Sequence, residues 1–280
     1  MWKESYRIGV ESIDRQHQEL FAMVKGLLGI VSRPPEDVRE QCIRSIAFLK
    51  EYVVKHFADE EAYQRELGYP GYEAHRAIHQ GFVAKVLEFE DRMIQSDFAT
   101  PVVKEFVGLL VAWLIHHVAS EDLRYADLAK AQAQPLAKSG TYRDSFEQSM
   151  REVFATMTGV EVAGVTQGLP QQPDQLFVRV GLLGQQEGEV VFAFPSATTF
   201  SIIQAMTFME VDEVDEMVIS ALCEISNIVS GTAASALAGS GIPCDITTPR
   251  LVEGAGKLGQ DTTLRFSTGI GELGVALHLE

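Results

Sequence analysis

Ligand-type side chains recur at helical spacing through the first 122 residues: His17, His56 with Glu60, His75 with His79, and His117 with Asp122. Residues four apart lie on one face of an α-helix, because four steps complete just over one turn of 3.6 residues. His56/Glu60 and His75/His79 therefore each aim two donors in one direction. Imidazole nitrogens and carboxylate oxygens together suit iron. Helix bundles build dinuclear sites of this kind from side chains on facing helices, with carboxylates bridging two metals. A chain with this pattern is constrained to bring four helices around one point.

A bland reading competes with it. A single histidine on a helix is usually exposed or a satisfied core residue, and six of the seven histidines precede residue 118 in any case. Two such clusters can arise by accident in a helical protein. Four, one per helix-length segment and each set among apolar residues, are much harder to produce that way. Zinc is the main rival to iron, but structural zinc usually takes four ligands, often with Cys. Seven candidates converge here and no Cys lies near them. The pattern reads as an intracellular di-iron site, with the metal less tightly specified than the site.

A length of 280 residues is enough for two domains with separate cores. The net charge of −16 is unevenly shared. Residues 1–138 carry 17 Lys+Arg against 21 Asp+Glu, or −4; residues 139–280 carry 6 against 18, or −12. The acidic second half opposes attraction to nucleic acid or anionic membrane and favours a partner with a basic face. Cys42, Cys223 and Cys244 are odd in number and widely spaced, which reads as reduced, buried thiols in a cytoplasmic protein. The N-terminal residues lack the apolar run of a signal peptide. The most apolar stretch, 106–119, has the length of a core helix and is too short to cross a bilayer, so no transmembrane segment is expected.

Apolar periodicity predicts helices over 12–31, 36–66, 72–96 and 101–131. Pro34-Pro35 separates the first two, Leu67-Gly68-Tyr69-Pro70-Gly71 stops the second, and Thr100-Pro101 caps the fourth. Four long amphipathic helices on short loops describe an all-α up-down four-helix bundle over 1–131. Small residues with Pro135 and Gly140 mark a linker at 132–141. Over 142–280 the pattern changes. A helix at 142–158 closed by Gly159 is followed by strands at 160–165, 176–183 and 189–194. Helices then come at 196–209, capped by Ser196, and at 214–237. Two or three further strands follow, near 245–253, 262–268 and 272–279. Helices set against an antiparallel sheet give an α+β second domain.

Residues 1–131 resemble a bacterial hemerythrin. The resemblance rests on Trp2, Gly9-Val10, Ile13-Asp14, Gln16-His17-Gln18-Glu19-Leu20-Phe21, His56-Phe57 with Glu60-Glu61, and Tyr69-Pro70. It continues through His75-x3-His79-x2-Phe82 and Trp113-Leu114-x2-His117-Val118-x3-Asp122-x2-Tyr125. It implies two iron ions with an oxo or hydroxo bridge. His75, His79 and His117 would hold one, His17 and His56 the other, and Glu60 and Asp122 would bridge them. Dioxygen would bind at the open position of the second iron. Phe57 and Trp113 would line its pocket, which is expected to be apolar and free of proton donors and so to favour reversible binding. Glu61, Glu121 and His116 are assigned to solvent or packing.

Residues 142–280 resemble the CheX/CheC/FliY phosphatases. The carrying motif, Ser220-x3-Glu224-x2-Asn227-x3-Gly231, places Glu224 and Asn227 on one helical face. Alone it is a weak signal, because Glu and Asn three apart usually mark a solvated face. The segment 244–256, with Pro249 and Gly254-x-Gly256, supports it. Ala155 stands where an earlier Glu-x2-Asn motif beginning at Glu152 would need Asn, so the region is closer to CheX, with one site per chain and an implied homodimer. Lys257 follows Gly256 where His is frequent.

The chemistry implied is hydrolysis of an aspartyl phosphate on a CheY-like response regulator that brings its own Mg2+ and Lys. Glu224 would pair with that Lys, and Asn227 would orient the attacking water. The fusion as a whole reads as an oxygen- or redox-sensing phosphatase. The alternative is a non-enzymatic oxygen-binding, storage or signalling protein whose second region only dimerises or docks.

Overall fold

The computed structural model describes residues 1–31, 35–128, 141–184, 187–254 and 262–279. Residues 132–140 of the expected linker, the end of the fourth expected helix (129–131), Gly256 and Lys257 lie outside them. The chain forms two compact units, built mainly on Met1–Gln134 and on Pro135–Val214 with Val218–Glu280.

In the helical unit, a short 3-10 helix (Glu4–Tyr6) precedes α1 (Glu11–Leu28), α2 (Pro35–Glu66), α3 (Tyr72–Gln95) and α4 (Thr100–His116). Helix α1 packs on α2 and α4, and α3 packs on the same two, which closes the bundle. The entry into α1 explains the Gly9 and Asp14 of the opening motif. Asp14 is buried, and its carboxylate accepts from the backbone N–H of Ile8 at 2.9 Å and of Gly9 at 3.2 Å. The reversal this needs puts Gly9 at φ +88°, a conformation that disfavours a side chain. Trp2, Tyr6 and Phe21 then pack ring to ring at 5.6–5.9 Å.

Three local expectations are corrected. The fourth helix is not continuous: a π-helical turn (His117–Glu121) separates α4 from α5 (Asp122–Leu128). Ala99, not Thr100, is the N-cap of α4, with Pro101 in its first turn. Counted through the π-turn, Thr100–Ala126 is long and apolar enough to cross a membrane, as is Glu216–Gly239, although 106–119 alone is not. Most of each is buried inside the protein, as in a core helix.

The second unit opens with α6 (Tyr142–Thr158). Thr141 caps it by accepting from the Asp144 N–H, and Gly159 closes it at φ +77°. Strands β1 (Val162–Gln167), β2 (Gln175–Gly184) and β3 (Gly188–Pro195) follow, then α7 (Ser196–Thr207) and α8 (Glu216–Gly239). The last strands are β4 (Cys244–Ile246), β5 (Arg250–Val252), β6 (Thr262–Thr268) and β7 (Gly271–Leu279). All pairings are antiparallel, in the order β1-β6-β7-β3-β2-β4, with β5 also on β2. The central strands β3 and β7 are buried over five or more successive residues, so both their faces are covered. Helix α7 packs on this pair and α6 packs on α7.

Among the described residues four strands follow α8, because the run expected at 245–253 is split. Pro249 has no N–H to give a sheet ladder, and Thr247 turns to bond Gly181 through both its hydroxyl (2.8 Å) and its N–H (3.0 Å). Pro195, not Ser196, is the N-cap of α7. Only Cys42 is fully buried; Cys223 and Cys244 are half-buried. Gly159→Ala should lower stability by about 1–2 kcal/mol, because a Cβ in the left-handed region meets the adjacent carbonyl. Denaturant unfolding of the two proteins measures this.

Candidate metal centre

Each helix of the bundle delivers its candidates from a local rule. On α2, His56 and Glu60 share a face; on α3, His75 and His79 do; α1 brings His17. His117 and Asp122 break that rule, since five α-helical residues leave two side chains about 140° apart. The π-turn corrects the mismatch. It widens the helix to i→i+5 bonding, and the Asp122 N–H donates to the His117 carbonyl itself. The spacing of five was the available sequence signal for this turn.

All seven side chains converge, and none is more than 2 % exposed. Glu60 places Oε1 2.8 Å from His75 Nε2. Its Oε2 lies 3.3, 3.7 and 3.8 Å from Nε2 of His79, His56 and His117. Asp122 places Oδ2 3.1 Å from His17 Nε2, and Oδ1 3.4 and 3.3 Å from Nε2 of His75 and His117. Both carboxylates therefore touch the three-histidine group and the two-histidine group. Glu60 joins His75, His79 and His117 in one set of ligand-type atoms within 4.8 Å of one another, and His17 and His56 in another.

The pocket is poised for a cation. Nε2 of His17, His56 and His75 and both oxygens of Asp122 are buried with no hydrogen-bond partner among the described residues. Nε2 of His79 and His117 stand 3.1 Å apart, where two lone pairs would repel without a proton or metal between them. Burial pulls His17 down to about 4 and His56 down to about 3, and holds His117 well below its usual range, so these rings are neutral at pH 7, with a lone pair each to offer. Burial, with the Glu60 charge beside it, pushes Asp122 well up. Burial acts on Glu60 in the same direction, but its contacts with His117, His75 and His79 outweigh it and hold Glu60 well below the usual range.

Aromatic plates wall one side. Phe57 stacks on His79 with ring centroids 3.7 Å apart, and Trp113 stacks on His117 at 4.4 Å and on Phe82 at 3.7 Å. A cavity beside them is lined by apolar side chains, Leu20, Val24, Val53, Phe57, Trp113 and Leu114 among them. The expectation that no proton donor lies near the centre is corrected. Tyr125, fully buried, packs 5.8 Å from His75, and burial together with Asp122 and Glu60 raises its phenol well above 10, so it keeps its proton.

Other residues were missed. Gln64 donates to Glu60 Oε1 at 2.8 Å and Gln16 accepts from His56 Nδ1 at 3.0 Å. Glu61, assigned to solvent or packing, instead accepts from His79 Nδ1 at 3.0 Å. Gln64 was legible as Glu60 plus four; Gln16 and Glu61 adjoin candidate ligands but gave no periodic signal. His116 is outside the cluster, 3.3 Å from Glu121, which also binds Arg124 at 3.0 Å.

In the second unit, Glu224 and Asn227 lie on α8. Asn227 is half-buried, as a solvated face would have it, but Glu224 is only 6 % exposed. Gly231 on the same helix faces Ile246 of β4, 3.9 Å from where a Cβ would stand.

Comparison with known proteins agrees with both units. The family model for the hemerythrin HHE cation binding domain matches residues 8–129, and that for the chemotaxis phosphatase CheX matches 176–264. The bacteriohemerythrin of Clostridium acetobutylicum is 30% identical over 128 residues, covering 45% of this chain and 98% of that protein. The bacteriohemerythrin of Pseudomonas aeruginosa is 27% identical over 154 residues, covering 55% and 97%. Among solved structures, the CheX–CheY–BeF3–Mg2+ complex from Borrelia burgdorferi matches at 25% identity and a TM-score of 0.45, over 51% of this chain and 99% of that one. The chain belongs to the hemerythrin family through its helical unit, fused to a CheX region.

The neutral, buried histidines give a pH signature. The unfolded chain binds protons near pH 6.5 but the folded pocket resists until about 4 at His17 and 3 at His56. The stability these rings contribute is therefore full above pH 6.5 and lost as pH falls through that window, by up to about 1.4 kcal/mol per pH unit for each ring, which outweighs the opposite effect of the raised Asp122. Thermal unfolding of metal-free protein should show Tm dropping steeply from pH 6.5 to 4. In Phe57→Leu, which keeps every titrating ring, the slope should be unchanged.

Proposed function

We propose that the helical unit holds two iron ions and binds dioxygen reversibly, and that the CheX region removes phosphate from a CheY-like receiver under control of that centre. One observation carries the reading. Seven buried ligand-type side chains, in two groups joined by Glu60 and Asp122, lie in the same chain as the CheX motif Glu224/Asn227. His75, His79 and His117 would hold one ion, His17 and His56 the other, and Glu60 and Asp122 would serve both. Bound, the irons supply reversible dioxygen chemistry. Phe57, Trp113 and the apolar cavity exclude water, and Tyr125 retains its proton beside His75. Two irons per chain are expected by metal analysis. Glu60→Ala, which removes a contact to four imidazoles, should reduce this to one or none.

On the receiver side, Asn227 places its amide to orient the attacking water against the phosphoaspartate, whose Mg2+ and Lys belong to the receiver. Glu224 pairs with that Lys once uncovered. The chain works as a homodimer in the cytoplasm, with the domains divided at 1–131 and 142–280. Asn227→Ala should lower receiver dephosphorylation by 10-fold or more, on the scale of a lost water-positioning group, without moving Tm. Loss of phosphate from a labelled receiver measures it. Wild-type turnover in this variant would remove the enzymatic reading.

The burial of Glu224 favours a second reading, in which the CheX region docks a partner without catalysis. The same timed assay separates the two. Run on reduced, oxygenated and oxidised protein, it also tests control. A coupling of about 1–3 kcal/mol would change the rate by roughly 5–150-fold. Equal rates in all three states would leave the units functionally independent.

A further inference from the structure

All five imidazoles of the centre turn Nε2 inward, but their outer nitrogens differ. Nδ1 of His17, His75 and His117 is buried with no hydrogen-bond partner among the described residues. His56 Nδ1 meets Gln16 Oε1 at 3.0 Å, and His79 Nδ1 meets Glu61 Oε1 at 3.0 Å. A carboxylate can only accept, so His79 carries its proton on Nδ1 and keeps its Nε2 lone pair for a metal. Gln16 reaches the same result by another route: its amide N–H donates to Asp59 at 2.7 Å, which turns its oxygen toward His56. Both rings are thus oriented alike. What differs is charge, since Glu61 sets a carboxylate on His79 while Gln16 sets a neutral amide on His56. The Glu61 side chain is only 17 % exposed, and its nearest cation, Arg76, stands off at 3.9 Å, so water screens this charge weakly.

We propose that Glu61 is a positioning residue that makes the two halves of the centre electronically unequal. Its hydrogen bond from His79 Nδ1 makes that imidazole the most basic of the five. A more basic ligand stabilises the more highly charged ion, so the half served by His79 is the easier to oxidise. Gln16 orients His56 without this bias. The inference rests on the iron reading above.

The test is a mediated redox titration of iron-loaded, full-length protein followed by absorbance, in which each iron exchanges one electron with a mediator dye. Glu61→Gln keeps an acceptor for His79 but removes the charge. At a fixed potential the oxidised-to-reduced ratio of one of the two one-electron steps should fall about tenfold, or about 59 mV. Glu61→Asp, which keeps the charge, should restore most of it, and Gln16→Glu should shift the other step the opposite way. Iron lost from Glu61→Gln but kept by Glu61→Asp also supports a role for charge. Wild-type iron content with both steps unmoved in Glu61→Gln overturns the inference alone, as does identical behaviour of the Gln and Asp variants. Wild-type protein that takes up no iron overturns the underlying reading and this inference with it.

Discussion

Two carboxylates buried at the centre of a helix bundle are the constraint on which the helical unit depends. Desolvating an ionised carboxylate costs several kcal/mol even after relaxation, so it is tolerated only where partners surround it. Glu60 has Nε2 atoms of four imidazoles within 3.8 Å and Asp122 has three within 3.4 Å. That many partners can reach one point only if four helices present the same depth of their inner faces to it. The aromatic plates on His79 and His117 then cover one side of the site, and the Asp14 clamp fixes where α1 begins.

A second layer holds the rings in place. Gln64 donates to Glu60, Gln16 links His56 to Asp59, and Glu61 holds His79. These groups decide which nitrogen of His56 and His79 carries the proton and therefore which can act as a ligand. They sit on the same helices as the candidate ligands, so the helix geometry that aligns the centre also aligns its supports. The second unit uses a different device. Its central strands β3 and β7 are buried on both faces, and the edge beside β2 is broken at Thr247–Pro249. Helix α8, which carries Glu224 and Asn227, approaches that edge closely enough for Gly231 to face Ile246.

Much of this was legible in residue order. The i,i+4 pairs named His56, Glu60, His75 and His79 because helical period alone fixes their direction. Pro and Gly marked the element ends, down to the left-handed turn at Gly159. Strands β2, β3, β6 and β7 were found within one or two residues, since alternating apolar patterns survive whatever packs against them. Local signals failed where a contact distant in sequence decided the outcome. The split at 247–249 depends on Gly181, 66 residues away. Glu61 appeared to belong to solvent or packing because nothing local shows that α3 brings His79 against it.

The sequence by itself determined the helices, the class of the second unit and the identity of seven candidate ligands, because these follow from periodicity and side-chain chemistry along one element at a time. Tertiary structure decided the rest. It set the π-turn that lets residues five apart face one site, the reach of Glu60 and Asp122 to both histidine groups, the unlike partners of His56 and His79, and the burial of Glu224. Each of these depends on the distance between atoms on different elements, or on how a helix yields to bring them together. Such distances are fixed only when the elements pack, when the cost of leaving buried polar groups unpartnered selects one arrangement among those the local pattern allows.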